Sequence, residues 1–512
     1  VLFNAPVFLF AFLPATWIGF RLINYLNHKL SLLWLVAASM VFYGWWNPRF
    51  VPLLLLSITG NYLAGELIRL SQPRPATQQT ILIFAITTNI CLLCYYKYLT
   101  AIIGFLIGQG VPLPEISPIV LPLGISFFTF TQIAYLLDVV AGIAEDRDPV
   151  SYALFVTFFP HLIAGPILHH AEIMPQFRQP AAVRFNPQDL MVGMAIFTIG
   201  LAKKNLLADP TSLVVAPAFD HAAQLQFFVA WHAALSYSLQ LYFDFSGYSD
   251  MAIGLGRMFG IGFPLNFNSP YKAASIIEYW QRWHMTLTRY LTQYLFNPLA
   301  LAAMHRLTAF RRRQRRKASK SDRFAALILI PLPITMTIAG IWHGAGLQFL
   351  VFGLLHGIYL VVNHIWRNVR PRTQQTNSRL RRAGNVLLTY LCVLIGAVFF
   401  RASDVVSALH MLSAMLGLHG TEALPTPNAS FWTTLPPCLS VLWLVMLYII
   451  VWTLPNTQEI MASFRPALGF VDERPRNAIR YRLTMDWAVA TGVVATWAVL
   501  LRQQAEFVYF QF

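Results

Sequence analysis

The first twenty residues, VLFNAPVFLFAFLPATWIGF, contain no charged side chain. As a helix they would reach ~30 Å, the thickness of the hydrocarbon core of a bilayer. They are too long and too aromatic for a cleaved leader, and no small-residue cleavage site follows. Further apolar windows lie near 31–46, 50–68, 80–103, 119–140, 151–168, 190–208, 226–248, 324–341, 347–366, 384–400, 436–454 and 486–501. Lipid offers the backbone no hydrogen-bond partners, so segments of this kind must be helices. The expected fold is an all-α polytopic membrane protein with roughly 11–13 transmembrane or re-entrant helices. Charged residues make up only 11% of the chain, against about 25% in soluble domains.

We expect one membrane domain over 1–512. Within it, 264–323 reads as an amphipathic helix followed by a basic loop. In SIIEYWQRWHMTLTRYL, Glu278, Arg282 and Arg289 share a stripe, with Glu278 and Arg282 in a favourable i,i+4 pair. His284 falls on another face, near Trp280, Leu287, Thr288 and Leu291. No sustained internal repeat is visible, which counts against a secondary transporter.

Lys and Arg number 37 against 21 Asp and Glu. The excess gathers in HRLTAFRRRQRRKASKSDR at 305–323 and in a second basic stretch from Arg367 to Arg382. The positive-inside rule places both in the cytoplasm, where they can also meet anionic membrane lipids. No groove-reading element accompanies them, so no nucleic acid is expected. Cys91 and Cys94 form a CxxC inside an apolar segment with no second pair, and packing is the favoured reading. No metal site and no cofactor is expected.

Ionisable residues inside apolar windows are costly and mark structure or function. Asp244, Asp250 and Arg257 lie in one window, Lys203 and Lys204 in another, with Asp138 and His161 elsewhere. Ion pairing between helices is the favoured reading for the aspartates and lysines. Ser246, Gly247, Gly254 and Gly256 favour close helix contact beside them. The most pointed pattern is AGIWHGAGLQFLVFGLLHG at 339–357. Its glycines can break the helix and release backbone N–H groups, presenting His343 in a cavity. With both flanking basic stretches in the cytoplasm, 324–366 reads as a two-helix hairpin turning near Gly344–Gly346, with His343 away from the cytoplasm. Taken alone, the pattern fits either a packed core histidine or a general base, the role for which an imidazole pKa is suited. His356 reads as structural.

The sequence resembles the membrane-bound O-acyltransferase family, and within it the membrane subunits of bacterial alginate and other polysaccharide O-acetyltransferases. The resemblance is carried by FNAPVFLFAFLP at the start, YYKY at 95–98, LPLGISFFTFTQIAYLLDVVAG at 121–142, FFPHLIAGPI at 158–167 and GLAKKNLLAD at 200–209. It continues through QLYFDFSGYSDMAIGLG at 240–256, FNSPYKAASIIEYWQRWHMTLTRYL at 267–291, GIWHGAGLQFLVFGLLHG at 340–357 and the terminal FVYFQF. Two departures stand out. At 290–302 the chain reads YLTQYLFNPLALA, without the Arg-Asp pair and glycines common in the family, and His169 and His170 stand where arginine is more usual.

The resemblance implies helices around a central tunnel in the bacterial inner membrane. Acetyl-CoA would be the donor from the cytoplasm, and an extracytoplasmic polysaccharide the acceptor. A separate periplasmic acetyltransferase or esterase-like protein would be the partner. It makes His343 the catalytic histidine and His284 the second family position. Trp283, Arg282, Trp342 and Asn268 become candidates for the donor path. The final FxYxxF, with Phe507, Tyr509 and Phe512, reads from composition as an interfacial anchor. The resemblance instead makes Tyr509 an acyl relay, which its phenol pKa of ~10 would suit by keeping the ester activated. The alternatives are a transporter or flippase of a polar substrate, or a family member acting on peptidoglycan or a teichoic-acid-type polymer.

Overall fold

The computed structural model describes residues 3–114, 116–179, 185–369, 378–421, 437–471 and 479–502. Tyr509 lies outside the described residues. Among these residues the regular elements are helices, apart from one isolated parallel bridge between Pro264 and Leu468. Eight helices are long and apolar enough to cross a membrane, and five shorter apolar helices of 10–17 residues accompany them. The chain is an all-α, multi-pass membrane protein.

Local chemistry sets the helix ends. Phe8–Leu26, His28–Trp46 and Pro48–Leu70 follow the first three apolar windows closely. Asn27 caps the second, its side chain accepting from Leu30 N, and Asn47 does the same for Arg49 N at the start of the third. Such caps satisfy N–H groups that a helix start leaves over.

Other windows are corrected. The window 80–103 is two helices, Pro75–Lys97 and Leu99–Gly108. The window at 119–140 becomes helical only at Ile125, because Pro118 and Pro122 hold the chain before it and Gly124 turns into the helix at φ 71. The window 151–168 breaks into Pro149–Thr157 and Phe159–Leu162, both too short to span. Pro160 has no N–H with which to prolong the first helix and sits instead in the first turn of the second. Conversely, 226–248 extends into a 32-residue helix, Phe227–Met258.

The chain forms two compact units. The first comprises Val1–Leu206, Ser246–Leu265 and Thr457–Arg502. Here the small residues act as expected: a Cβ on Gly247 would lie 2.7 Å from Gly200 O, and one on Gly254 would lie 2.7 Å from Phe197 N. The backbones therefore approach as only glycine permits. The buried Asp250 carboxylate accepts from Lys203 Nζ at 2.7 Å, Thr457 Oγ1 at 2.6 Å and Gln458 Nε2 at 2.9 Å. Asn205 donates to Ala498 O at 2.7 Å and accepts from Asn4 at 3.0 Å.

Among the described residues the second unit comprises those of Leu207–Phe245 and Asn266–Asn456. Its hairpin is the one the sequence predicts: Pro331–His343 and Leu347–Val369, broken at Gly344–Gly346. The two helices touch backbone to backbone, since a Cβ on Gly353 would lie 2.9 Å from Thr337 Cα and one on Gly357 would lie 2.7 Å from Pro333 Cα.

The expected amphipathic helix and basic loop over 264–323 are revised. The amphipathic segment is two short helices, Ile276–Trp280 and Met285–Leu291, with His284 between them in the left-handed region at φ 42. The basic run is mostly helical. Arg311, Arg312 and Arg313 end Asn297–Arg313, where cations favour the carbonyl end of the helix. A turn then leads to a new helix, Lys320–Phe324, capped reciprocally by Ser319 and Asp322. Arg311 pairs with Asp322 across that turn at 2.7 Å.

Candidate active site

Two strained positions build the first half of the site. Ser269, at φ 47, turns the chain after Asn266–Asn268, and His284, at φ 42, turns it between the two short helices. The two turns are laced together. Asn268 N donates to Arg282 O at 2.9 Å, Arg282 Nη1 returns to Asn268 O at 3.1 Å, and Met285 N donates to Asn266 O at 2.9 Å. Left-handed backbone costs a non-glycine residue energy, and it persists where neighbours over-determine it.

The lacing fixes the chemistry of His284, which is 1% exposed. Its Nδ1 lies 3.0 Å from Asn266 Oδ1. That oxygen also accepts from Thr286 N at 3.3 Å and Thr286 Oγ1 at 2.9 Å. The Thr286 N–H can only donate, so the Asn266 atom is the carbonyl oxygen and His284 Nδ1 carries its proton. Burial lowers the His284 pKa from 6.5 to about 3. The ring is thus neutral at pH 7 and its Nε2 holds the lone pair. The helical face expected for His284 is not the one it takes; the break turns it toward Phe245 and Phe267, at ring-centroid distances of 4.7 and 6.3 Å.

His343 is the last residue of its helix, and Gly344 leaves the helix in extended backbone. The break expected at WHGAG is present. The imidazole does not stand open, however, since it is only 6% exposed. Trp342, Phe400 and Phe352 surround it at centroid distances of 4.8, 5.0 and 6.2 Å.

A series of ring contacts links the two histidines. From His343 it passes to Phe352 at 6.2 Å, then to His356 at 4.7 Å and Tyr279 at 6.4 Å. It continues to Trp283 at 5.7 Å, Phe267 at 5.1 Å and His284 at 6.3 Å. His356 holds the middle as a structural residue: its Nδ1 accepts from Trp280 Nε1 at 3.3 Å, and Gly396 leaves room for its Nε2 side.

The remaining sequence-selected residues divide. Trp283 belongs to the ring series, and Trp342 packs on His343. Arg282 binds Glu278 Oε1 through Nε and Nη2, both at 3.0 Å, as the i,i+4 spacing predicts. Asn268 Oδ1 accepts from Asn456 Nδ2 at 3.0 Å. Arg282 and Asn268 therefore hold the His284 turn in place. A cleft of about 530 Å³ adjoins this region, lined by Trp280, Gln281, Met285, Thr288 and Arg289 among others.

Sequence reasoning missed Asn266 and a buried hydroxyl cluster. In that cluster Ser238 Oγ meets Tyr390 OH at 2.6 Å, Tyr390 OH meets Tyr448 OH, and Tyr271 OH donates to Ser238 O at 2.7 Å. Asn266 had a faint signal, a polar residue between two phenylalanine-containing segments beside proline. The hydroxyl cluster had none, because its members come from separated helices.

A family model for the membrane-bound O-acyltransferase family matches residues 41–402. The chain is 40% identical to a peptidoglycan O-acetyltransferase of Helicobacter pylori over 82% of this chain and 81% of that protein. It is 35% identical to a probable alginate O-acetylase AlgI of Pseudomonas aeruginosa over 84% of this chain and 77% of that protein. It is 27% identical to a teichoic acid D-alanyltransferase of Streptococcus thermophilus, over 48% of this chain and 57% of that protein.

Proposed function

Because the chain belongs to the membrane-bound O-acyltransferase family, we propose that it takes an acetyl group from acetyl-CoA on the cytoplasmic side of the bacterial inner membrane and passes it outward for O-acetylation of an extracytoplasmic glycan. The enzyme is an acyltransferase. The observation that carries the finer reading is the linked pair of buried histidines, one at a helix break and one in a strained turn of fixed tautomer. Acyl transfer from a thioester to a hydroxyl needs a base to take the hydroxyl proton and donors for the oxyanion.

In this reading His343 is the base that takes the proton of the acceptor hydroxyl, and His284 Nε2 accepts a hydrogen bond from that hydroxyl and so orients it. Arg289 in the neighbouring cleft supplies a cation suited to the phosphates of the donor. Tyr509, outside the described residues, is the proposed acceptor of the acetyl group on its way outward, with a periplasmic esterase-like protein completing transfer to the glycan. The similarity to the peptidoglycan O-acetyltransferase favours peptidoglycan strands as acceptor over an exopolysaccharide such as alginate.

The test is turnover by the purified full-length protein. With acetyl-CoA it is expected to release free CoA and to carry one acetyl group on the C-terminal peptide containing Tyr509. A transporter of polar solutes would consume no thioester, and absence of both signals would overturn the reading.

A second expectation concerns His284. His284→Asn should retain more donor turnover than His284→Ala. Asparagine accepts left-handed backbone more readily than alanine and keeps a hydrogen-bonding side chain toward Asn266. Equal and complete inactivity of both, with the two variants folded, would show instead that proton transfer at the imidazole is indispensable.

A further inference from the structure

We propose that Asp138, His169 and His170 form a binding site for one divalent transition-metal ion, with zinc(II) the best match to the donor set. The three side chains offer two imidazole nitrogens and one carboxylate oxygen, all within 4.8 Å of one another. Asp138 Oδ2 lies 3.1 Å from His169 Nε2 and 3.2 Å from His170 Nδ1. Two nitrogens and one oxygen, each ~2.0–2.2 Å from a tetrahedral zinc, stand about 3.3 Å apart. The two spacings to Asp138 are close to that edge.

Backbone geometry explains why neighbouring residues converge. Side chains adjacent in sequence point ~100° apart in a helix and to opposite faces in a strand. His169 is extended, at φ −100 and ψ 133, while His170 opens the helix His170–Arg178. The change of conformation between them brings both rings to one carboxylate, with centroids 5.0 Å apart.

A shared hydrogen-bonded carboxylate is the competing reading, and the orientation of His170 speaks against it. His170 is 3% exposed, yet neither ring nitrogen makes a hydrogen bond. Nδ1 stands at hydrogen-bond distance from Asp138 but out of line for N–H···O. Two ligands of one tetrahedral ion stand this close without a hydrogen bond between them, because both lone pairs point to the metal. The His170 ring is otherwise packed by Tyr135 and Phe155, at centroid distances of 6.0 and 6.3 Å. Asp138 is 2% exposed. His169 retains 16% side-chain exposure, which gives the ion an approach and leaves the fourth position to water.

Bound there, the ion would tie the end of the helix Ile125–Val140 to the start of His170–Arg178. The site departs from the metal-free expectation drawn from the sequence, where Asp138 read as an ion-pairing residue and the two histidines lay some thirty positions away.

Full-length protein, purified without a polyhistidine tag and stripped with chelator, is titrated with cobalt(II) and then zinc(II). The expected result is one ion per chain, visible d–d absorption of a four-coordinate cobalt(II) centre, and displacement of that absorption by zinc(II). Zinc(II) should also raise the thermal unfolding midpoint, as any ligand of the native state does. His169→Gln, at the partly exposed ligand, should weaken binding by more than the ~10–100-fold that losing an outer-shell partner costs and remove the thermal shift, while the stripped variant unfolds near the stripped wild-type temperature. Asp138→Asn provides a second loss. Folded wild-type protein without stoichiometric uptake, or uptake unchanged in both variants, would overturn the site.

Discussion

Replacing His343 with alanine is expected to reduce acetyl transfer from acetyl-CoA by about 10²–10⁴-fold, the range over which general bases contribute. The effect follows from position. The imidazole ends a helix at a glycine break, where it is held by Trp342, Phe352 and Phe400. Because the ring is 6% exposed, alanine also leaves a void, so lost turnover has to be separated from lost folding. His343→Gln serves this purpose, filling most of the space and keeping polar atoms without a basic nitrogen. Both variants should insert, purify as monodisperse protein and melt within a few degrees of wild type, with release of CoA nearly abolished. Turnover by His343→Gln close to wild type would remove His343 from the chemistry.

Asp250→Ala should be the most damaging of the stability variants, at about 3–5 kcal/mol. The carboxylate accepts from Lys203, Thr457 and Gln458 together. Deleting it leaves the Lys203 cation, whose side chain is 13% exposed, without its counter-charge and two neutral donors without their acceptor. The penalty arises from the orphaned charge rather than from the lost contact. Combining Asp250→Leu with Lys203→Met should therefore recover much of the loss, since neither charge then needs a partner. Unfolding of the purified protein followed by tryptophan fluorescence measures this. A double variant as unstable as Asp250→Ala would place the cost in packing instead.

The parts of the fold that were legible in the sequence are those fixed by local chemistry. The helix break at Gly344 follows from a residue type that ends helices wherever it stands. The hairpin Pro331–Val369 was legible because its glycines must face a backbone. The window 151–168 was misread because hydropathy does not distinguish a buried apolar segment from a lipid-facing one, and Pro160 decided the matter. The His284 helix was misread for a related reason. Its apolar spacing fits a continuous helix, but hydrogen bonds from the distant Asn266–Asn268 stabilise a left-handed turn that spacing alone cannot reveal. His343 was legible as a candidate from its flanking glycines, whereas its enclosure by Phe400 required tertiary structure.

The hydrogen bond between His284 and Asn266 sets the direction in which a proton can travel. A histidine that relays protons receives one on one nitrogen and releases another from the opposite side. Here Nδ1–H faces an amide oxygen that already accepts from Thr286, and an amide oxygen is far too weak a base to carry a proton onward at neutral pH. Whatever reaches Nε2 must leave by Nε2. In the proposed mechanism His284 is therefore a terminus and not a wire, returning from Nε2 any proton that it takes up there.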